Sequence, residues 1–415
     1  MKFKSIIIGL IFLGFILTPI YGSVELLSLL PSLAGMLNKG LILIFKVTKD
    51  IILAGVLFLF AFELIKSMKI LRNTLLWVLL SLLAVACYIT YMYNGILMMV
   101  IGMRVFAPML LIFVGAKYFD DRQFAGLTRI LTWVAFLEYC AAIVQMFFAL
   151  HVMGSSYFGL AARPFGTFVE PSSFAIFICL AVVMNLANDH YYRKRIRANT
   201  WLFVLISIFF IVLSGSGTGL LGIAVIFLVY VFLFSRIPAL LKAGIAPMIV
   251  LSPILILLSL PVLTNRENIY KSLFGRVEIF SDLVFSSDLK GMLIGNGIGM
   301  GSNAAVTLLG NPNKGNYVDA NQFIADSFYA SVLSQVGAVF LILFIIFSLY
   351  IFWKALANRH KRLAHYIVLM FVPLMLMVSF GSIIIEVFPF NWLMFLLFGA
   401  VIRKGMIDEI PMRNT

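Results

Sequence analysis

Charged residues make up only 12% of this 415-residue chain. That is too few to clothe a water-soluble domain, in which about a quarter of residues are charged. Acids are scarcer than bases, 17 against 31, for a formal charge of +14. Cysteine is nearly missing: Cys87, Cys140 and Cys179 each fall inside an apolar run, which excludes a disulfide framework and cysteine metal spacing and makes them small core residues. The four histidines form no metal-ligating pattern, and no DxD-like cluster stands in for one. Ten-residue stretches of alternating polarity are lacking, which excludes an outer-membrane barrel. There is no internal repeat, low-complexity tract or soluble domain.

Hydrocarbon is what the chain has in excess. Hydrophobic residues reach 63% and the mean hydropathy is +1.08, so the sequence describes an integral membrane protein. About twenty apolar residues cross a bilayer as a helix. Candidate spans lie near 5–21, 51–66, 74–93, 96–116, 124–152, 168–187, 201–214, 218–235, 244–262, 324–352, 364–385 and 388–402. The expected fold is all-α: a polytopic membrane helix bundle of about 12 transmembrane helices, forming one domain over residues 1–415. The opening MKFK and Ser5 to Ile20 have the shape of a signal peptide, but Tyr21-Gly22-Ser23 is a poor cleavage site. The segment reads as the first span.

Basic residues mark alternate loops: Lys66, Lys69 and Arg72; Lys117, Arg122 and Arg129; Arg193, Lys194, Arg195 and Arg197; Arg236 and Lys242; Lys354, Arg359, Lys361 and Arg362; Arg403 and Lys404. This is the positive-inside pattern, with anionic lipid headgroups as partners and no nucleic acid implied. Both termini then lie in the cytoplasm. To keep that parity, Val24 to Lys49 is read as a non-crossing or re-entrant segment on the outer face. Gly154 to Thr167 and the long stretch 263–323 also fall outside. The latter keeps apolar residues at helical spacing, which predicts packing on the membrane face of the protein.

Polar groups inside the spans carry the functional signal, because a charge at the bilayer centre costs roughly 2.5 to 3.5 kcal/mol unless it faces protein or water. Arg104 lies well inside the fourth span and Glu138 near the middle of the fifth. Two readings stand: a structural ion pair between them, or an arginine reaching an anionic ligand in a wet cavity. Gln145 follows Glu138 on the same helical face and extends it into a polar stripe. Outside, Arg163 precedes Pro164 and Glu170 precedes Pro171, where a carboxylate suits a helix N-terminus as a cap. Arg266, Lys271 and Arg276 join Arg163 on the face that the charge bias should deplete. Arginines kept there suggest an anion, and a pyrophosphate suits their planar donors.

Two glycine-rich stretches complete the inventory. SGSGTG, Ser214 to Gly219, joins two spans; close helix packing is the default and a row of amides beside a substrate the alternative. GNGIGMG, Gly295 to Gly301, does not fit the dinucleotide fingerprint and reads as a flexible or tightly turning loop.

In order along the chain, "RPFGTFVEPSSFA" from Arg163, "VLSGSGTGLLGIAVIFLVY", an outer loop with "GRVEIF" and "LIGNGIG", and "ADSFYASVLSQVGAVFLILF" resemble the O-antigen polymerase and ligase superfamily, over about residues 95 to 352. Within it the chain is similar to Wzy-type repeat-unit polymerases. The resemblance implies a GT-C-like membrane glycosyltransferase that needs no metal or other cofactor. It acts on polyprenyl-pyrophosphate-linked oligosaccharides at the outer face of the cytoplasmic membrane, with a chain-length regulator and a flippase as partners. It places Arg163 and Arg276, with Arg104 and Arg266 as further candidates, on pyrophosphate, and Glu170 or Asp326 on the acceptor hydroxyl; Asp326 has a capping role as its alternative. Ligases of the family carry a histidine in the large outer loop. Residues 263–323 have none, which favours a polymerase over a ligase that attaches glycan to lipid or protein. A flippase or secondary transporter is the alternative from another class.

Overall fold

A chain in hydrocarbon must satisfy its backbone within each segment, and runs without strand alternation do so as helices. The computed structural model describes residues 2–21, 39–67, 73–147, 164–168, 170–235, 237–249, 251, 289–299 and 327–403. Every regular element among them is helical, and no strand is present. In chain order these are α1 (Lys2–Ile16), α2 (Lys39–Ser67), α3 (Thr74–Phe106), a 3-10 turn (Ala107–Leu110), α4 (Leu111–Tyr118), α5 (Asp121–Phe147), α6 (Pro171–Arg193), α7 (Ala198–Ser214) and α8 (Gly217–Leu233). There follow α9 (Ala239–Ile249), α10 (Leu289–Ile294), α11 (Phe328–Ala357), α12 (Leu363–Val378) and α13 (Phe390–Ile402). Thr74–Tyr118, Asp121–Met146, Pro171–Arg193 and Phe328–Ala357 are long and apolar enough to cross a membrane, and α1, α7, α8, α9, α12 and α13 are shorter apolar helices. The architecture is that of a helical membrane bundle.

The described residues form two compact units. The first comprises Met1–Met68, Lys117–Glu267 and Ala355–Val378. At its centre is α6, apolar on every side from Phe174 to Met184 and buried throughout that run, as expected of a helix ringed by others. It packs against α5, α7, α8 and α12. The glycines of α8 allow the closest approach: a Cβ at Gly219 would collide with Ala175 of α6, and one at Gly222 would lie 2.9 Å from Leu374 and 3.1 Å from Cys179. Small residues at such contacts let backbones approach where no hydrophobic force drives them together. Meanwhile α7 exposes Leu202, Leu205 and Phe209, a stripe suited to lipid.

The second unit comprises Lys69–Ala116, Asn268–Lys354 and Ser379–Thr415, and its helices are interrupted. Gly95 (φ 80°) breaks α3 and Gly337 (φ 85°) breaks α11. A single 45-residue rod over Thr74–Tyr118 would rise about 67 Å, twice the roughly 30 Å core; Gly95 divides it where the sequence separates two spans. In contrast, 324–352 reads as one span and proves to be two helical pieces, because Gly337 packs so tightly on α10 that a Cβ would strike the Leu293 carbonyl.

Other boundaries also move. Residues 39–49, expected outside the second span, are the first turns of the continuous α2, while 22–38 lie outside the described residues. The span expected over 364–385 ends at Val378, and Ser379–Pro389 follows as irregular, mostly buried chain. Of the three cysteines only Cys179 is a core residue; Cys87 is half-buried and Cys140 exposed.

Candidate functional site

The strongest polar feature of the sequence, the Glu138 and Gln145 stripe on α5, meets the stretch that carries Arg163 and Glu170. Glu138 is wholly buried and Gln145 is 6% exposed. The Glu138 carboxylate accepts the Thr167 amide at 2.6 Å on Oε2 and the Thr167 hydroxyl at 2.6 Å on Oε1. One α-helical stripe position further, Gln145 accepts the Phe165 amide at 3.0 Å and donates to the Gly166 carbonyl. The Phe168 amide returns to the Phe165 carbonyl at 3.1 Å and closes the turn. Residues 164–168 are thus docked onto α5 by side chains on one helical face. Sequence reading places the two side chains on that face; it does not supply their partner, which is loop backbone.

Glu170 stands at the N-cap of α6 with Pro171 at the first helical position, but its side chain makes no capping hydrogen bond. It is exposed and accepts the Ser172 hydroxyl at 3.2 Å. The expected cap is therefore one of position only. Arg104 is half-buried in the last turn of α3, where a cation complements the carbonyl end of a helix. Arg163, Arg266, Arg276 and Asp326 lie outside the described residues. Near Asp326, Ser327 holds the cap position of α11, its carbonyl accepting the Ser331 amide at 3.0 Å. The next amide, Phe328, donates to the carbonyls of Ser379 and Ser382 at 3.0 and 3.2 Å.

The glycine motifs resolve into structure. In SGSGTG, Gly215 ends α7 in the left-handed conformation and Ser216 caps α8, accepting the Gly219 amide at 3.2 Å. Packing is the role of Gly219, while Gly215 serves the turn. The turning alternative holds for Gly295 to Gly299. Four successive amides are engaged: Asn296 with the Ser334 carbonyl (2.7 Å), Gly297 with the Gln335 carbonyl (3.1 Å), Ile298 with the Thr90 hydroxyl (2.7 Å) and Gly299 with Gln335 Oε1 (2.8 Å). The first two close the carbonyl end of the helical piece before Gly337. Amides so engaged are not open to an anion, so the turn is a fastening in the second unit and no phosphate cradle.

Sequence reading also missed a knot where α6 meets α7. Asp189, 1% exposed, receives the Arg197 guanidinium at 2.8 to 3.1 Å, the Arg197 amide at 3.0 Å and the Thr200 hydroxyl at 2.6 Å. Its signal was an acid set before the basic run that reads only as a topology marker. Asp121 similarly ties Tyr191 (2.8 Å) and the Leu363 amide (2.8 Å) to the start of α5.

No protein-family model and no curated protein matches this chain. The functional reading therefore rests on the residues themselves.

Proposed function

We propose that the chain is a membrane glycosyltransferase, a polymerase joining polyprenyl-pyrophosphate-linked oligosaccharide repeat units into O-antigen, capsule or exopolysaccharide. It works at the outer face of the cytoplasmic membrane with both termini inside. The observation that carries the reading is the docked turn 164–168. An arginine and a glutamate that merely anchored a helix to headgroups would need no buried carboxylate beneath them. Here Glu138 and Gln145 hold residues 164–168 at the mouth of α6, which is buried without a break from Phe174 to Met184.

The chemistry suits these residue types. An acceptor sugar hydroxyl attacks the anomeric carbon of the lipid-linked chain, a new glycosidic bond forms, and the bond from that carbon to the pyrophosphate oxygen breaks. The hydroxyl proton passes to Glu170 or Asp326, and the polyprenyl pyrophosphate leaves with the electron pair. A pyrophosphate needs no strong acid to depart; it needs cations placed where charge develops. Arg163 and Arg276 fill that role, with Arg104 and Arg266 as further contacts. Lipid-linked repeat units are the substrates, and a chain-length regulator and flippase are the expected partners.

The test is a glycan gel on a deletion strain complemented with Arg163→Ala or Arg276→Ala. Protein level stays normal, long glycan disappears and single lipid-linked repeats accumulate. Normal chain length in both variants overturns the assignment.

A secondary transporter is the second reading, favoured by the interruptions at Gly95 and Gly337, since transporters build sites from discontinuous helices. Purified protein that lengthens a lipid-linked repeat without any ion gradient excludes it.

A further inference from the structure

A carboxylate buried in a membrane helix is retained only where it does what an apolar residue cannot. Thr167 offers two donors, an amide and a hydroxyl, and each Glu138 oxygen takes one at 2.6 Å. A glutamine in that place has a single acceptor oxygen: it could keep the Thr167 amide, but the hydroxyl would have to turn and accept from the NH2 in place of donating. Gln145 takes one donor and one acceptor, the Phe165 amide and the Gly166 carbonyl, which suits an amide and no carboxylate. The two side chains therefore match the turn in type as well as in place. Gly166 completes the fit: its φ is 59°, and a Cβ there would collide with Glu138 Oε2 and lie 3.1 Å from Phe174. Backbone this close to a buried carboxylate admits only glycine.

The geometry points to Glu138 and Gln145 as positioning residues for the glycan transfer proposed above. They touch no substrate; they fix residues 164–168, which lie in sequence between Arg163 and Glu170 and so constrain the stretch that carries both. The inference rests on that functional reading and adds to it the device that sets the site.

Hydrogen exchange on the full chain in lipid nanodiscs, paired with polymerisation of the lipid-linked repeat extracted from a deletion strain, tests it. In Glu138→Gln the Thr167 amide exchanges about tenfold faster while the α6 amides from Phe174 to Met184 keep their protection. Turnover falls by about a hundredfold, as misplacement of about an ångström produces, and KM for the repeat shifts by less than about threefold. Thr167→Val, made from the loop side and leaving the acid in place, reproduces both changes, and Thr167→Ser restores both. Unchanged exchange in Glu138→Gln and Thr167→Val overturns the clamp. Faster exchange with normal turnover, or a Thr167→Ser variant as impaired as Thr167→Val, overturns the positioning role. Fast exchange in Glu138→Gln together with normal turnover in Arg163→Ala overturns the glycan-transfer reading itself and leaves the clamp standing as structure alone.

Discussion

Two short turns, one in each unit, are fixed by different means. Residues 164–168 hang from two long polar side chains of α5. Residues 295–299 are gripped by main chain and side chain alike, with the Ser334 and Gln335 carbonyls and the Thr90 and Gln335 side chains taking four amides in a row. Docking through side chains can be tuned by single substitutions without moving a helix. A turn built into a helix break stands or falls with the break. The contrast separates a place where selection can adjust function from one that the fold cannot give up.

The largest effect should come from the rigid turn. A Cβ at Gly295 would lie 2.5 Å from the Gln335 carbonyl oxygen with φ at 81°, and neither backbone can yield. Gly295→Ala should destabilise by about 3 kcal/mol or more, from left-handed strain and overpacking together, and appear as loss of folded protein in a thermal-shift assay in detergent. Next is Gln145→Leu, which strips partners from the Phe165 amide and the Gly166 carbonyl. At about 1–3 kcal/mol for each buried group left unpaired, it should cost more than Thr90→Val, which strips only the Ile298 amide. Comparing the two by chemical unfolding breaks the comparison if Thr90→Val proves the worse. Glu170→Gln should be smallest: the side chain is exposed and makes no capping bond, so stability stays within about 0.5 kcal/mol. A loss of glycan polymer in that variant, at normal protein level, would then report chemistry.

The all-helical, apolar character of the chain was legible because hydrophobic length is a composition-level signal. The Glu138 and Gln145 stripe was legible for a similar reason, since seven residues are two helical turns. What it binds was not, because loop backbone carries no side-chain signature. The break at Asn94-Gly95 was legible because it falls between two spans, whereas Gly337, although it follows Ser334-Gln335-Val336, lies within a stretch that reads as one span. Its conformation is set by the Leu293 carbonyl beside it, a contact across more than forty residues. Asp189 was hidden differently, its four donors masked by a basic run with a sufficient topological explanation. Of the six residues proposed for the site, Arg104 and Glu170 are described.

The interruption at Gly337 bears on what holds this part of the protein in place. From Phe328 to Val336 the helical piece rises only about 13 Å, less than half the bilayer core, and it is buried along its whole length. Such a fragment cannot hold itself across a membrane alone. Its place therefore depends on the protein packed around it, a dependence that an unbroken 30-residue helix would not have.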